Sequence, residues 1–162
     1  MKVEFKEKQK FTQWWLWLIL IGIALFQVYG LYQQLIKGED FGDKPMSDFG
    51  LIGFTIISFA ILFLFWYMTL ETEIDQKEIR IKFIPLTKKS YKWEDVKSAT
   101  ILEYKFVGYG IRLFTLYGTV YNTKGNKGLA IELKNGNKLL VGTQKSDELS
   151  HIIEKISQKN EH

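Results

Sequence analysis

The sequence contains no cysteine and only two histidines. Lack of cysteine excludes a disulfide framework, a thiolate metal site and a thiol nucleophile. His151 lies off the apolar face of a C-terminal helical pattern, and His162 is the last residue. Neither belongs to a cluster suited to holding a metal or acting as a base. There is no Walker-type phosphate loop and no Gly-x-Ser-x-Gly elbow. The words GYG and GNKG read as strand breaks and turns instead. The sequence therefore offers no catalytic residue, no cofactor-binding residue and no metal ligand, and a non-catalytic role is expected. The formal net charge of +4 is too small to imply nucleic acid. It suits a mildly basic surface facing anionic lipid.

Charge is also missing locally. Phe11 to Ile36 and Phe49 to Leu70 contain no Asp, Glu, Lys, Arg or His. Each run is long enough to cross the hydrocarbon layer as a helix, and both are apolar all round, unlike the striped helices of a soluble core. Trp14, Trp15 and Trp17 stand near one end of the first run, with Tyr29 and Tyr32 near the other. Trp66 and Tyr67 mark the exit of the second. Such rings favour the headgroup zone. A cleaved signal peptide would need a small-residue cleavage site, and the first run ends in QVYGLYQQL. Residues 11–70 are thus expected to form two transmembrane helices, about 12–32 and 49–70, with a turn-rich loop at 37–48. The span interiors lack the buried charges of ion pathways and proton relays. Gly22, Gly30 and Gly53 permit close packing, but their spacing forms no strong dimer motif.

Orientation follows from flanking charge. The 1–10 leader carries Lys2, Lys6, Lys8 and Lys10, whereas the loop sets Lys37 and Lys44 beside Glu39, Asp40, Asp43 and Asp48. By the positive-inside rule both termini are cytoplasmic and the loop faces outward.

After Leu70 the rhythm changes from continuous hydrophobe to alternation. Leu70, Thr72 and Ile74 share one side and Glu71, Glu73 and Asp75 the other. DQKE is a tight turn, and Ile79, Ile81 and Phe83 then alternate with Arg80 and Lys82. KSYKW reads as a strand, EDVKS as a turn, and ATILEYKF, GYGIRLF, TVYNT, LAIELK and KLLVGTQ as further strands. Asn135-Gly136 is a strong hairpin signal. Over 146–159 a helix is expected, with Ser146 as N-cap and Leu149, Ile152, Ile153 and Ile156 on one face. Residues 71–162 are therefore expected to form a cytoplasmic, mainly β domain of about seven antiparallel strands capped by that helix.

The words WEDV (93–96), GYGIR (108–112), GLAIELKNG (128–136) and LLVGTQKSDEL (139–149), following two spans, resemble bacterial pleckstrin-homology-like domains of small membrane proteins. The likeness covers most of 70–157. It implies a PH-like antiparallel β barrel or sandwich at the bacterial cytoplasmic membrane. The loop used for lipid by eukaryotic relatives is here the short, nearly neutral DQKE, which argues against a specific phosphoinositide site.

Lys88, Lys89 and Lys92, interleaved with Tyr91 and Trp93, are candidates for contact with anionic headgroups or an acidic partner; the competing reading is a solvated strand face. Arg112 is a candidate for a carboxylate or phosphate, against an internal ion pair with Glu103 or Glu132. The expected partners are the bilayer and a membrane protein or a second copy of the chain. The expected function is a membrane-anchored binding or scaffold protein. The alternative is an accessory subunit of a transport or enzyme complex whose activity is assembled in an oligomer, a reading that a polar cluster in a pocket would favour.

Overall fold

The computed structural model describes residues 3–105 and 108–160. Lys2, His162 and the end of the expected ATILEYKF strand at Phe106 lie outside the described residues. The chain divides into two units. One is Thr12–Tyr67; the other joins the segment ending at Phe11 to the chain from Met68 onward.

The first unit is a helical hairpin. Helix α1 (Trp14–Leu31) continues as a π-helical turn, Tyr32–Lys37, and ends at Gly38, whose φ is 70°. Helix α2 is Asp48–Tyr67. Both are long and apolar enough to cross a membrane. The buried side of α1 is Ala24, Gln27 and Gly30, and that of α2 is Leu51 and Thr55. These are mostly small or polar residues, which let helices approach closely. In the loop, the Phe41 ring lies against Gly30, where an added Cβ would come within 2.6 Å of it. Gln34 fastens the loop by donating to the Met46 carbonyl at 2.8 Å and the Asp48 carboxylate at 2.7 Å.

The second unit contains nine strands among the described residues, in two sheets. Strands β1 (Phe5–Lys10), β2 (Thr69–Ile74), β3 (Glu78–Ile84) and β4 (Thr87–Lys92) form an antiparallel meander in that order. A 3-10 turn, Trp93–Asp95, leads to β5 (Val96–Glu103), β6 (Gly110–Thr115), β7 (Gly118–Asn122), β8 (Lys127–Leu133) and β9 (Lys138–Gly142). These lie in the order β5-β8-β9-β7-β6, with β7 and β9 parallel and the other pairs antiparallel. Helix α3 (Ser146–Asn160) packs against β5 and β1.

Several sequence expectations are revised. The 1–10 leader is largely strand: β1 pairs with β2 from Phe5↔Ile74 to Lys10↔Thr69. The helical hairpin is therefore inserted between two paired strands of the β unit. The second helix stops at Tyr67 rather than residue 70, because Thr69 and Leu70 pair with β1 on one side and β3 on the other. EDVKS is not a turn throughout, since β5 already starts at Val96. The strands number nine rather than about seven; of the expected barrel or sandwich, the described residues show two sheets and no closed barrel, and one strand pair is parallel.

The β2–β3 hairpin is as expected. Its turn is fixed by Asp75, whose carboxylate accepts the backbone N–H groups of Lys77 and Glu78 at 2.8 and 3.0 Å. This side-chain mimicry of a backbone turn is a general property of Asp. Leu70, Ile74, Ile79, Ile81 and Phe83 line the inner face and are fully buried; in the second sheet Leu129, Ile131, Leu139 and Val141 share one buried face, while Val120 and Leu140 pack with Tyr104 on the other. In α3, Leu149, Ile153 and Ile156 are buried. The first helical hydrogen bond runs from Leu149 N–H to the Lys145 carbonyl, while the Ser146 hydroxyl donates to Asp147. Ser146 therefore lies inside the helix rather than capping it.

Strand β1 joins the sheets through polar side chains. Glu7 accepts the Thr143 hydroxyl at 2.6 Å and the Gln144 N–H at 2.8 Å. Gln9 donates to the Gly142 carbonyl at 2.7 Å and accepts the Thr123 hydroxyl at 3.0 Å. The ends of β7 and β9 thus abut the β1 edge of the first sheet, while their starts face β4. The strands of the two sheets cross, an orthogonal packing.

Candidate partner-binding face

Two surfaces of the β unit bring candidate charged residues together. On the outer face of the first sheet, cross-strand register sets acids of β2 between bases of β1 and β3. Lys6 lies 2.6 Å from Glu73, and Arg80 and Lys82 approach the same carboxylate at 3.3 and 3.4 Å. Lys8 meets Glu71 at 2.9 Å. The Glu73 carboxyl is held down to about 2, chiefly by the hydrogen bond from Lys6 and then by Lys82. Burial pushes Asp75 up, but the backbone N–H groups of Lys77 and Glu78 and the Arg80 guanidinium outweigh it, so its pKa falls. Arg80 is raised, first by its 2.7 Å hydrogen bond to Glu78. Opposite charges facing one another across strands stabilise a sheet, so this network is structural.

The second surface is a groove of about 800 Å³ between the β4 edge of one sheet and the β6–β7 hairpin of the other. Lys89 and Tyr91 lie on one wall, Ile111 and Leu113 on another, and Tyr121 and Lys138 are among the rest of the lining. Burial raises the pKa of both Tyr91 and Tyr121, so their phenols remain neutral. Gly118 closes the hairpin with a φ of 76°, and a Cβ there would collide with the Lys138 backbone carbonyl. The groove offers two ammonium groups and hydroxyl donors between apolar walls, an arrangement suited to an anionic, partly apolar ligand.

The four sequence candidates separate. Strand alternation places Lys88 and Lys92 on the outer face and Lys89 on the groove side. Lys92 pairs with Glu94 at 3.1 Å, whereas Lys88 and Lys89 have no carboxylate partner among the described residues. Arg112 is exposed on β6 and does not line the groove. Its anticipated partners are engaged elsewhere: Glu132 by Lys97 at 2.6 Å and Glu103 by Asn126 at 2.5 Å. Tyr121 and Lys138 were not anticipated. They reach the groove through the parallel β7–β9 pairing, for which the local sequence carries no signal.

In the helical unit a cavity of about 420 Å³ is lined by Phe26, Gln27, Gln34, Phe41, Met46 and Phe54, among others. Gln27 is 4% exposed, and its Oε1 has no hydrogen-bond partner among the described residues. Gln27 is uncharged, so a search of the spans for ionisable residues passes over it. No protein-family model matches the chain, and no curated protein matches it.

Proposed function

We propose that this protein is a membrane-anchored binding module, non-catalytic, that presents a PH-like β unit at the cytoplasmic face of a bacterial cytoplasmic membrane. The observation that carries this reading is the insertion of the helical hairpin between paired strands. Lys10 and Thr69 are register partners, so the β unit is tied to the bilayer by two adjacent strand ends. Such tethering raises its effective concentration against any neighbour in the same membrane, and a weak interface then suffices. The PH-like reading is supported by the four-strand meander, the second sheet and the terminal helix; the parallel β7–β9 pair departs from it. The lysine asymmetry around the spans supports the cytoplasmic placement. Lys88, Lys89, Lys92 and Arg112 are the contact groups, with Lys89 placed in the groove.

The test is joint charge reversal at Lys88, Lys89 and Lys92 in the full chain. It is expected to weaken binding to anionic vesicles or capture of a crosslinked partner while the fold is retained. Unchanged binding and capture would reduce the cluster to a solvated face. The orphaned Gln27 in its cavity favours a second reading, an accessory subunit whose hairpin packs within a larger membrane complex.

A further inference from the structure

We infer that the β6–β7 hairpin is a lipid-entering wedge: Leu113, Phe114 and Leu116, together with Leu86 of the β3–β4 turn, insert into the headgroup–acyl boundary of the bilayer that the helices cross. The inference rests on the reading of α1 and α2 as membrane spans. Exposure singles out these side chains. Phe114 is 99% exposed, Leu116 94%, Leu113 59% and Leu86 56%. Among the described residues of the β unit, the only other exposed large hydrophobic side chain is Val3, at 40%. The backbone contributes too. Phe114 has a φ of 57°, a left-handed conformation that bulky residues rarely adopt, and it holds the ring out in the open.

The position of the tip identifies its partner. Lys10, Thr69 and Ile84 are in register, so the β3–β4 turn carrying Leu86 lies at the end of the sheet where the chain enters and leaves the helices. Along β1, Glu7 bonds Thr143 just beyond β9, and Gln9, nearer that end, bonds Thr123 just beyond β7. Sheet order places β6 one strand further in the same direction. At the opposite end, Lys155 of α3 reaches Glu4 at 3.5 Å. The apolar tip and the span attachments therefore share one end of the β unit. Lys89 and Lys138 in the adjoining groove, and Arg112 on β6, supply cations for anionic headgroups. Apolar side chains beside such cations are the pattern of an interfacial membrane contact.

The absence of cysteine allows single-site labelling of the full chain in lipid nanodiscs. An environment-sensitive fluorophore is attached at Phe114→Cys, Leu116→Cys, His151→Cys on α3, or Leu25→Cys within α1, and quenched by spin-labelled lipids or aqueous iodide. The expected result is lipid quenching at 114 and 116, at a depth of about 5–10 Å below the headgroups. Position 151 should respond to iodide only, and position 25 to deeply placed spin labels. If 25 is quenched from the lipid but 114 and 116 respond only to iodide, the wedge is overturned and the spans stand. If 114 and 116 are shielded from both quenchers, the tip is covered by protein, which also overturns it. A probe at 25 open to iodide overturns the spans and the wedge together.

Discussion

The helical hairpin and the β unit bury opposite kinds of residue. In the hairpin the large hydrophobes point outward: Leu25 is 64% exposed, Phe26 63% and Ile56 63%. Its buried positions are Ala24, Gln27, Gly30, Leu51 and Thr55. In the β unit Leu70, Ile79, Ile81 and Leu140 are fully buried while lysines and glutamates face out. The inversion supports the proposal that one chain is built for two solvents, because exposed apolar side chains carry no hydration penalty in hydrocarbon. Buried polar groups differ as well. Glu7 and Gln9 are satisfied by partners on the second sheet, whereas the Gln27 carbonyl has none among the described residues.

The same substitution in the two regions gives the sharpest contrast. Leu140→Ala is expected to destabilise the β unit by about 2–5 kcal/mol through the cavity it leaves. Leu25→Ala on the outer side of α1 should change stability by about 0.5 kcal/mol or less. Chemical denaturation in nanodiscs, followed separately by strand and helix signals, checks both, and equal losses would break the contrast. Glu7→Ala comes next. It strands the Thr143 hydroxyl and the Gln144 N–H, at a cost of about 1–3 kcal/mol in the same measurement.

Acid should separate the regions too. Glu73 titrates near 2 in the folded chain against an ordinary value of 4.5. Its stabilisation is complete above about pH 4.5 and is lost as pH falls toward 2, since the unfolded state then binds the proton more readily. Thermal melts at successive pH values should lower the β transition in that window, and Glu73→Gln should flatten the dependence. The smallest effect is expected at Gln27. Gln27→Met removes an unpartnered buried carbonyl while keeping its volume, so a gain of at most about 1 kcal/mol in the helical unit is expected. A large loss would show that the amide is held by a partner in the membrane.

The two long apolar helices were legible because charge is absent from them, and the β2–β3 hairpin because Ile79, Ile81 and Phe83 alternate with charged residues. The spacing of Leu149, Ile153 and Ile156 likewise reveals α3. Strand β1 was not legible. Its inward residues beyond Phe5 are Glu7 and Gln9, so the buried side of FKEKQK looks as polar as the open side. Start of β5 was hidden in a similar way, since Val96 to Ser98 are only lightly buried. On β6 GYGIRLF reads as a strand, but nothing in the local sequence shows that Leu113 and Phe114 are exposed. Lys89 was legible as a contact candidate, but the groove around it depends on strands distant in sequence. Alternation reports which side chains share a face, not which strands meet.

The central claim is that one β unit, begun by β1, is interrupted by the helical hairpin and completed after it. Because Lys10 and Thr69 are partners, residues 12–67 can be replaced by an Asn-Gly turn that joins Phe11 directly to Met68. Circular dichroism and denaturation of this fusion can be compared with the fragment that starts at Met68. The account predicts a soluble fusion with a strand-rich spectrum and one cooperative transition, and a fragment that is unfolded or aggregated because the inner face at Glu7, Gln9 and Phe5 is missing. A fragment as stable as the fusion would contradict it.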